Sequence, residues 1–425
     1  VIDARIKKIL RPVRHALLMS VVWIWRRLMF RTTFIAITGS LGKTSCKDAV
    51  ATVLRARFRL VSSRGNSNHF GGVTKTVLRV RPWHRYAVIE VGIVKPGQMV
   101  KFARALKPDI AVWVSVANTH RMYFRSLETT AHEKSRLVEG VRAGGMAILN
   151  DDNTYIASYQ PPQSIRSIRY GRTERSQYRV LEAGGRWPER LSFVVTTDGE
   201  VSPRMETRFV GTHWTGSLVP AVVIGREAGM SFTEVAGALA SCEPMKRRMS
   251  PVELPNGVTI LRDEVNGSVD TLEAALKVLE QATAQRKMIV FTDVSDSSQK
   301  PRNRVRDVGK TVAGFAQSAM FLGEYSEYGA RAAVASGMPS DQVWHFLNIE
   351  DGARQLKESL RPGDLVLLRG RRVDHLARVY HALIGDVTCW RNRCDLRIDC
   401  GDCPRLNAKT PRRAGRRGVL AVLRS

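Results

Sequence analysis

From residue 31 onward, short apolar runs alternate with segments whose apolar residues recur at helical spacing. Residues 34–38, 86–91, 110–116 and 146–150 read as buried strands, and 43–57, 97–106 and 130–142 as the helices between them. This alternation predicts a parallel sheet with helices on both faces. Residues near 165–210 break the pattern with alternating strands such as 191–197 and polar turns, which predicts an antiparallel annex. Helices return at 216–228 and 231–240. A second α/β unit begins near Pro251, with strands at 258–261, 287–292, 319–322 and 364–368. Its helices are expected at 270–282, 305–317, 328–336, 350–360 and 374–384.

The two ends depart from this alternation. Lys7, Lys8, Arg11 and Arg14 precede an apolar stretch, 16–25, which Arg26 and Arg27 stop. At about ten residues the stretch is half of what a spanning helix needs. Trp23 and Trp25 beside a basic flank suit a bilayer interface; packing on the first domain is the alternative. The chain thus divides into a basic amphipathic helix (1–30), a parallel-sheet α/β domain (31–248), a smaller Rossmann-like α/β domain (249–385) and a Cys-rich, basic tail (386–425).

A chain of 425 residues is long enough for two or three domains, and its 44% hydrophobic content is ordinary. The net charge of +28 is not ordinary, and implies nucleic acid, an anionic membrane surface or a polyanionic substrate as partner. Nucleic acid rests on charge alone, since aromatic content is 7% and no binding motif is present. Cys46 and Cys242 stand alone as ordinary thiols. Cys389, Cys394, Cys400 and Cys403 fall close together, with gaps of 4, 5 and 2 residues. Four such thiolates can close a tetrahedral zinc site; an iron–sulfur cluster, disulfides or free thiols are the alternatives. Nucleotide use points to the cytoplasm, with the inner membrane face as a peripheral site.

The nucleotide is implied by residues 33–45, where an apolar strand runs into Thr38-Gly-Ser-Leu-Gly-Lys-Thr44. Gly39 and Gly42 permit the tight turn that aims backbone N–H groups, with Ser40 and Ser45, at an anion. Lys43 can reach the β/γ-phosphates, and the Thr44 hydroxyl can bind Mg²⁺. The following helix adds its positive end. The strict P-loop has Gly where Ile37 stands, so this loop is a shortened one. Glu90 ends a buried run, where a carboxylate needs a cation or donors. His120 follows a predicted strand, and Lys134 lies near the start of a helix.

These pieces resemble the Mur ligase family, most closely its MurF-type members, over about residues 33–385. The family's Thr-Gly-Thr-Asn-Gly-Lys-Thr corresponds to the loop ending at Thr44, its Glu-Met-Gly to Glu90-Val-Gly92, and its Ala-His strand end to Asn118-Thr-His120. Its Ala-Lys helix corresponds to Glu133-Lys134, its interdomain arginine to Arg248, and its Asp-Ser-Tyr-Asn segment to Asp263-Glu-Val-Asn266.

The resemblance implies an ATP-dependent, ADP-forming amide ligase that activates a carboxylate as an acyl phosphate and couples it to an amine. Lys43 and Thr44 would hold phosphate and Mg²⁺, Glu90 would ligate Mg²⁺, and His120 and a carbamylated Lys134 would serve a second metal. Arg248 would meet the γ-phosphate, Asp263 the ribose, and Asn266 the nucleotide. Departures set further expectations. The family's UDP-gripping N-terminal domain has no counterpart in residues 1–30, so the acid is expected to be carrier-free or polymeric. Lys95 replaces a His, and Asn66–His69 only partly fit the family's asparagine-rich loop. A poly-γ-glutamate-type synthetase, a ligase fed by a partner glutaminase, and a non-catalytic nucleotide-binding scaffold at membranes are the alternatives.

Overall fold

The structure is a computed structural model. It describes residues 4–118, 124, 126–265, 267–295, 297–391, 394, 396 and 398–407, without the side chains of 4–14. The chain forms two compact units, residues 1–245 and 246–425.

The first unit opens with α1 (Ala4–Leu28), β1 (Thr33–Thr38), α2 (Lys43–Arg55), β2 (Leu60–Ser62) and α3 (Phe70–Leu78). It continues with β3 (Tyr86–Glu90), α4 (Gln98–Leu106), β4 (Ile110–Trp113), α5 (Leu127–Glu139), β5 (Met146–Asn150) and α6 (Thr154–Ala157). Then come β6 (Arg166–Gly171), β7 (Tyr178–Gly184), β8 (Ser192–Thr197), β9 (Glu200–Val201), β10 (Met205–Glu206), α7 (Thr215–Glu227) and α8 (Phe232–Ala240).

Among the described residues these strands make one sheet in the order β10-β8-β7-β6-β5-β4-β1-β3-β2, with β9 on β8. Strand β1 lies between β3 and β4 and is parallel to both. Its residues alternate between two cores, as the period of two in a strand requires. Ile35 and Ile37 face α2, α7 and α8. Phe34 and Ala36 face the side that α1, α3, α4 and α5 cover. The expected antiparallel annex is only partly antiparallel. Strands β6 and β7 extend the parallel sheet, and antiparallel pairing starts at β8. Gly171 (φ 153°) lies at the β6–β7 pairing, where a Cβ would run into Asp152, a constraint that a periodicity argument does not detect.

The second unit contains β11 (Ser250–Glu253), β12 (Thr259–Asp263), α9 (Val269–Gln281), β13 (Arg286–Phe291), α10 (Pro301–Ala313) and β14 (Ser318–Leu322). It closes with α11 (Ser326–Ala335), β15 (Val343–Phe346), α12 (Ile349–Ser359), β16 (Asp364–Arg369) and α13 (Ala377–Ile384). The sheet order is β11-β12-β16-β13-β14-β15, parallel except at β11. Strand β16 is buried throughout, which fits its central place and its unbroken apolar run.

Candidate active site

The turn between β1 and α2 has the backbone of an anion cradle. Gly42 has φ 77° and directly precedes Lys43, the first residue of α2. A Cβ there would run into Ser217 Oγ, so both conformation and space call for glycine. Ser115, just beyond β4, fixes the loop from below. Ser40 N donates to its carbonyl (2.9 Å), and Leu41 N donates to its hydroxyl (2.8 Å).

Two lysines converge on this turn. Lys43 Nζ donates to the carbonyls of Gly39 (2.7 Å) and Ser40 (2.8 Å). Lys134 Nζ, on α5, donates to the same Gly39 carbonyl at 3.0 Å. Lys134 is 4% exposed. Its pKa is driven well below the usual lysine range by burial first, then by the Lys43 charge, with Glu133 opposing. Burial and the neighbouring cation both favour the neutral amine over the ammonium ion.

Glu90 ends β3 and is fully buried. Its Oε1 accepts from Asn68 Nδ2 (2.8 Å) and Thr44 Oγ1 (3.2 Å), and its backbone N–H donates to Ser63 Oγ (3.1 Å). Among the described residues its Oε2 is buried with no hydrogen-bond partner, as are Ser40 Oγ and Ser45 Oγ. A buried carboxylate oxygen left over beside a hydroxyl at this turn fits a hard cation. Mg²⁺ takes one or two such protein ligands and completes its shell with water and phosphate oxygens.

Ser63 and Ser115, in short loops without a motif, carry no signal in the sequence, and Asn68 carries one only as part of the Asn66–His69 loop. Lys47, 1% exposed, secures the Asn68 loop by donating to the carbonyls of Ser63 and Gly65, both at 3.0 Å.

In the second unit Asp263 ends β12 and is 5% exposed. It accepts from Met249 N (3.2 Å) and pairs with the fully buried Arg369. Burial raises its pKa, and Arg369 opposes the rise. Arg248 is half-buried between Arg247 (φ 65°) and Met249 (φ 48°), and its charge acts on Asp263. His120 and Asn266 lie outside the described residues.

Cys389, Cys394, Cys400 and Cys403 line one cavity with His375, whose Nδ1 is 3.2 Å from Cys400 Sγ. Among the described residues, however, no group of three or more His, Cys, Asp or Glu side chains is placed to hold a metal ion. The zinc expectation therefore gains no ligand geometry from the described residues. All six cysteines are free.

The Mur ligase middle domain family matches residues 37–224, and the Mur ligase, glutamate ligase domain family matches residues 247–372. The UDP-N-acetylmuramoyl-tripeptide–D-alanyl-D-alanine ligase of Mycobacterium tuberculosis (strain H37Rv) is 30% identical over 382 residues, covering 84% of this chain and 74% of that protein. The Bacillus subtilis (strain 168) enzyme of the same name is 24% identical over 356 residues, 83% of this chain and 76% of that one. In fold, a crystal structure of MurF from Acinetobacter baumannii aligns with TM-score 0.78 at 20% identity, over 87% of this chain and 80% of that one. The Thermotoga maritima MurF ligase in complex with ADP aligns at 0.74 and 17% identity, over 87% and 83%. These relatives are named as ligases of a UDP-linked muramoyl acid. That runs against both the scaffold reading and the carrier-free or polymeric acid expected from the sequence.

Proposed function

Because the chain belongs to the Mur ligase family and is an ATP-dependent, C–N-bond-forming ligase, we propose that it joins D-alanyl-D-alanine to a UDP-N-acetylmuramoyl tripeptide. The observation that carries the chemistry is the convergence of Lys43 and Lys134 on the Gly39 carbonyl beside the half-satisfied Glu90. The substrate assignment rests on the names of relatives that match most of the chain.

The acid's carboxylate attacks the γ-phosphorus of ATP, ADP leaves, and an acyl phosphate forms. The dipeptide amine then attacks the acyl carbon and expels phosphate. Both transition states gather negative charge, so fixed cations and backbone donors carry most of the catalysis. Lys43 and the N–H groups of the turn hold phosphate oxygens. Thr44 and Glu90 would hold Mg²⁺, which neutralises charge on the phosphates when bound. Lys134, whose burial favours the neutral amine, would add to CO₂ and lose a proton to become a carbamate, an anion suited to a second metal with His120. In the second unit, Arg248 would meet the γ-phosphate and Asp263 and Asn266 the nucleoside.

The test is ADP release with Mg-ATP over a panel of acids and amines, with Lys43→Ala as control. Turnover that needs both the UDP-muramoyl tripeptide and D-Ala-D-Ala supports the assignment, and turnover with another pair replaces it. Lys43→Ala should abolish ADP release; substantial residual activity would refute the phosphate-loop role. Lys134→Ala should be inactive and partly rescued by short-chain carboxylates, whereas unchanged activity removes the carbamate.

A further inference from the structure

Helix α1 is apolar on two sides. Its inner side belongs to the first unit. Val22 and Met29 join the core there, and Trp25 Nε1 donates to the Val80 carbonyl at 3.1 Å. Arg26 is buried against Phe34, with its guanidinium donating to the Leu106 carbonyl and to Asp109, both at 2.9 Å. The helix is therefore seated in one rotational setting, and that setting fixes what faces outward.

Outward, at helical spacing, stand Leu17 (64% exposed), Val21 (46%), Ile24 (51%) and Leu28 (58%), with Trp23 (45%) beside them and Phe30 (78%) just past the helix end. An apolar stripe already used on its other side is not an ordinary solvated helix face. The same spacing runs back in the sequence through Val13, Leu10 and Ile6. Arg27 lies over the Trp23 ring, 3.5 Å from guanidinium carbon to centroid. This pairs an aromatic body with a cationic tip, the combination that suits the boundary between acyl chains and head groups.

We propose that the outward face of α1 docks in the plane of a lipid surface rich in anionic head groups. This goes beyond the ligase reading and does not depend on it. Charge selects the occupant. Apart from Arg26, which is buried and paired with Asp109, the helix carries Arg5, Lys7, Lys8, Arg11, Arg14 and Arg27 and no acidic residue. Two copies packed through this stripe would bring like charges together, whereas lipid phosphates neutralise them. The mode is lateral: among the described residues no helix is long and apolar enough to cross a membrane.

The experiment is co-sedimentation of the full chain with phosphatidylcholine vesicles with or without about one-third phosphatidylglycerol, at roughly 0.1 M salt. Because the whole chain is basic, attraction to anionic lipid alone decides little. The deciding variant is Leu17→Gln/Ile24→Gln, which removes apolar surface and leaves net charge unchanged. Binding that prefers the anionic vesicles and falls about tenfold or more in the variant supports the proposal. Leu28→Gln/Phe30→Gln is the second variant, should the first fail to give a cooperative melt. No preference for anionic vesicles, or equal binding by a folded variant, overturns it. So does concentration-dependent self-association, seen by light scattering, that the variant abolishes, since a second copy would then own the face.

Discussion

Glu264 follows Asp263 at the end of β12 and is 1% exposed. It pairs with Arg262, which also stacks over the Tyr380 ring at 3.9 Å. Burial still wins, and the Glu264 pKa is raised to about 7. In the unfolded chain a glutamate releases its proton near pH 4.3. Between those values the folded state binds more protons than the unfolded one. This residue's contribution to stability therefore falls as pH rises from about 4.5 to about 7, and stays at its lowest above that. Glu264→Gln should remove the fall. In urea unfolding, the variant should gain on the wild type between pH 5 and pH 8; a constant difference would mean that Glu264 is ionised throughout. Sequence reading marked Asp263 and passed over its neighbour, because local pattern does not say which of two adjacent acids meets solvent.

At the scale of elements, the β1–turn–α2 unit was legible because one requirement acts at each of its positions. Gly42 is held at φ 77° against Ser217. Gly42→Ala should cost about 1–2 kcal/mol for the left-handed backbone alone. Displacing Ser217 of α7 adds to that, so nucleotide affinity should fall more than stability does. Calorimetric binding beside a thermal melt would separate the two, and wild-type affinity in a folded variant would show that the turn tolerates a side chain. In the second unit, Arg369 on β16 is the internal tie between β12 and α9. It pairs with Asp263 and donates to the Ser268 carbonyl (2.9 Å) and to Thr271 Oγ1 (2.7 Å). Arg369→Met leaves Asp263 buried without its cation and should destabilise by about 3–5 kcal/mol, read from denaturant midpoints. A loss below about 1 kcal/mol would mean that Asp263 is neutral in the fold. Arg369 closes an apolar run and looks in sequence like the solvated end of a strand; the register of β16 between β12 and β13 is what buries it.

For the molecule as a whole, the turn between β1 and α2 lies in one of two compact units. A ligand that binds the folded state stabilises by mass action, by about 2.7 kcal/mol at a hundredfold excess over its Kd. Mg-ATP should therefore raise the melting temperature of the wild type and leave Lys43→Ala unmoved. A similar rise in both would place nucleotide binding elsewhere. The charge of +28 also belongs to this scale. Charge sets which surfaces attract the chain, and the exposed face of α1 sets where contact would form.

The sequence by itself determined the alternation of strand and helix and the tight glycine turn between β1 and α2. Each of these is written in neighbouring residues through periodicity or backbone requirement. The short strands β2, β11 and β15 escaped, because their place in a sheet is given by distant partners more than by their own pattern. Tertiary structure alone decided that Asn68 and Thr44 share Glu90 Oε1, and that Lys43 and Lys134 share one carbonyl. It also decided that Arg26 is an anchor while Arg27 is exposed. Burial and pairing across 20 to 100 residues of chain are properties of the packed molecule, and no local pattern encodes them.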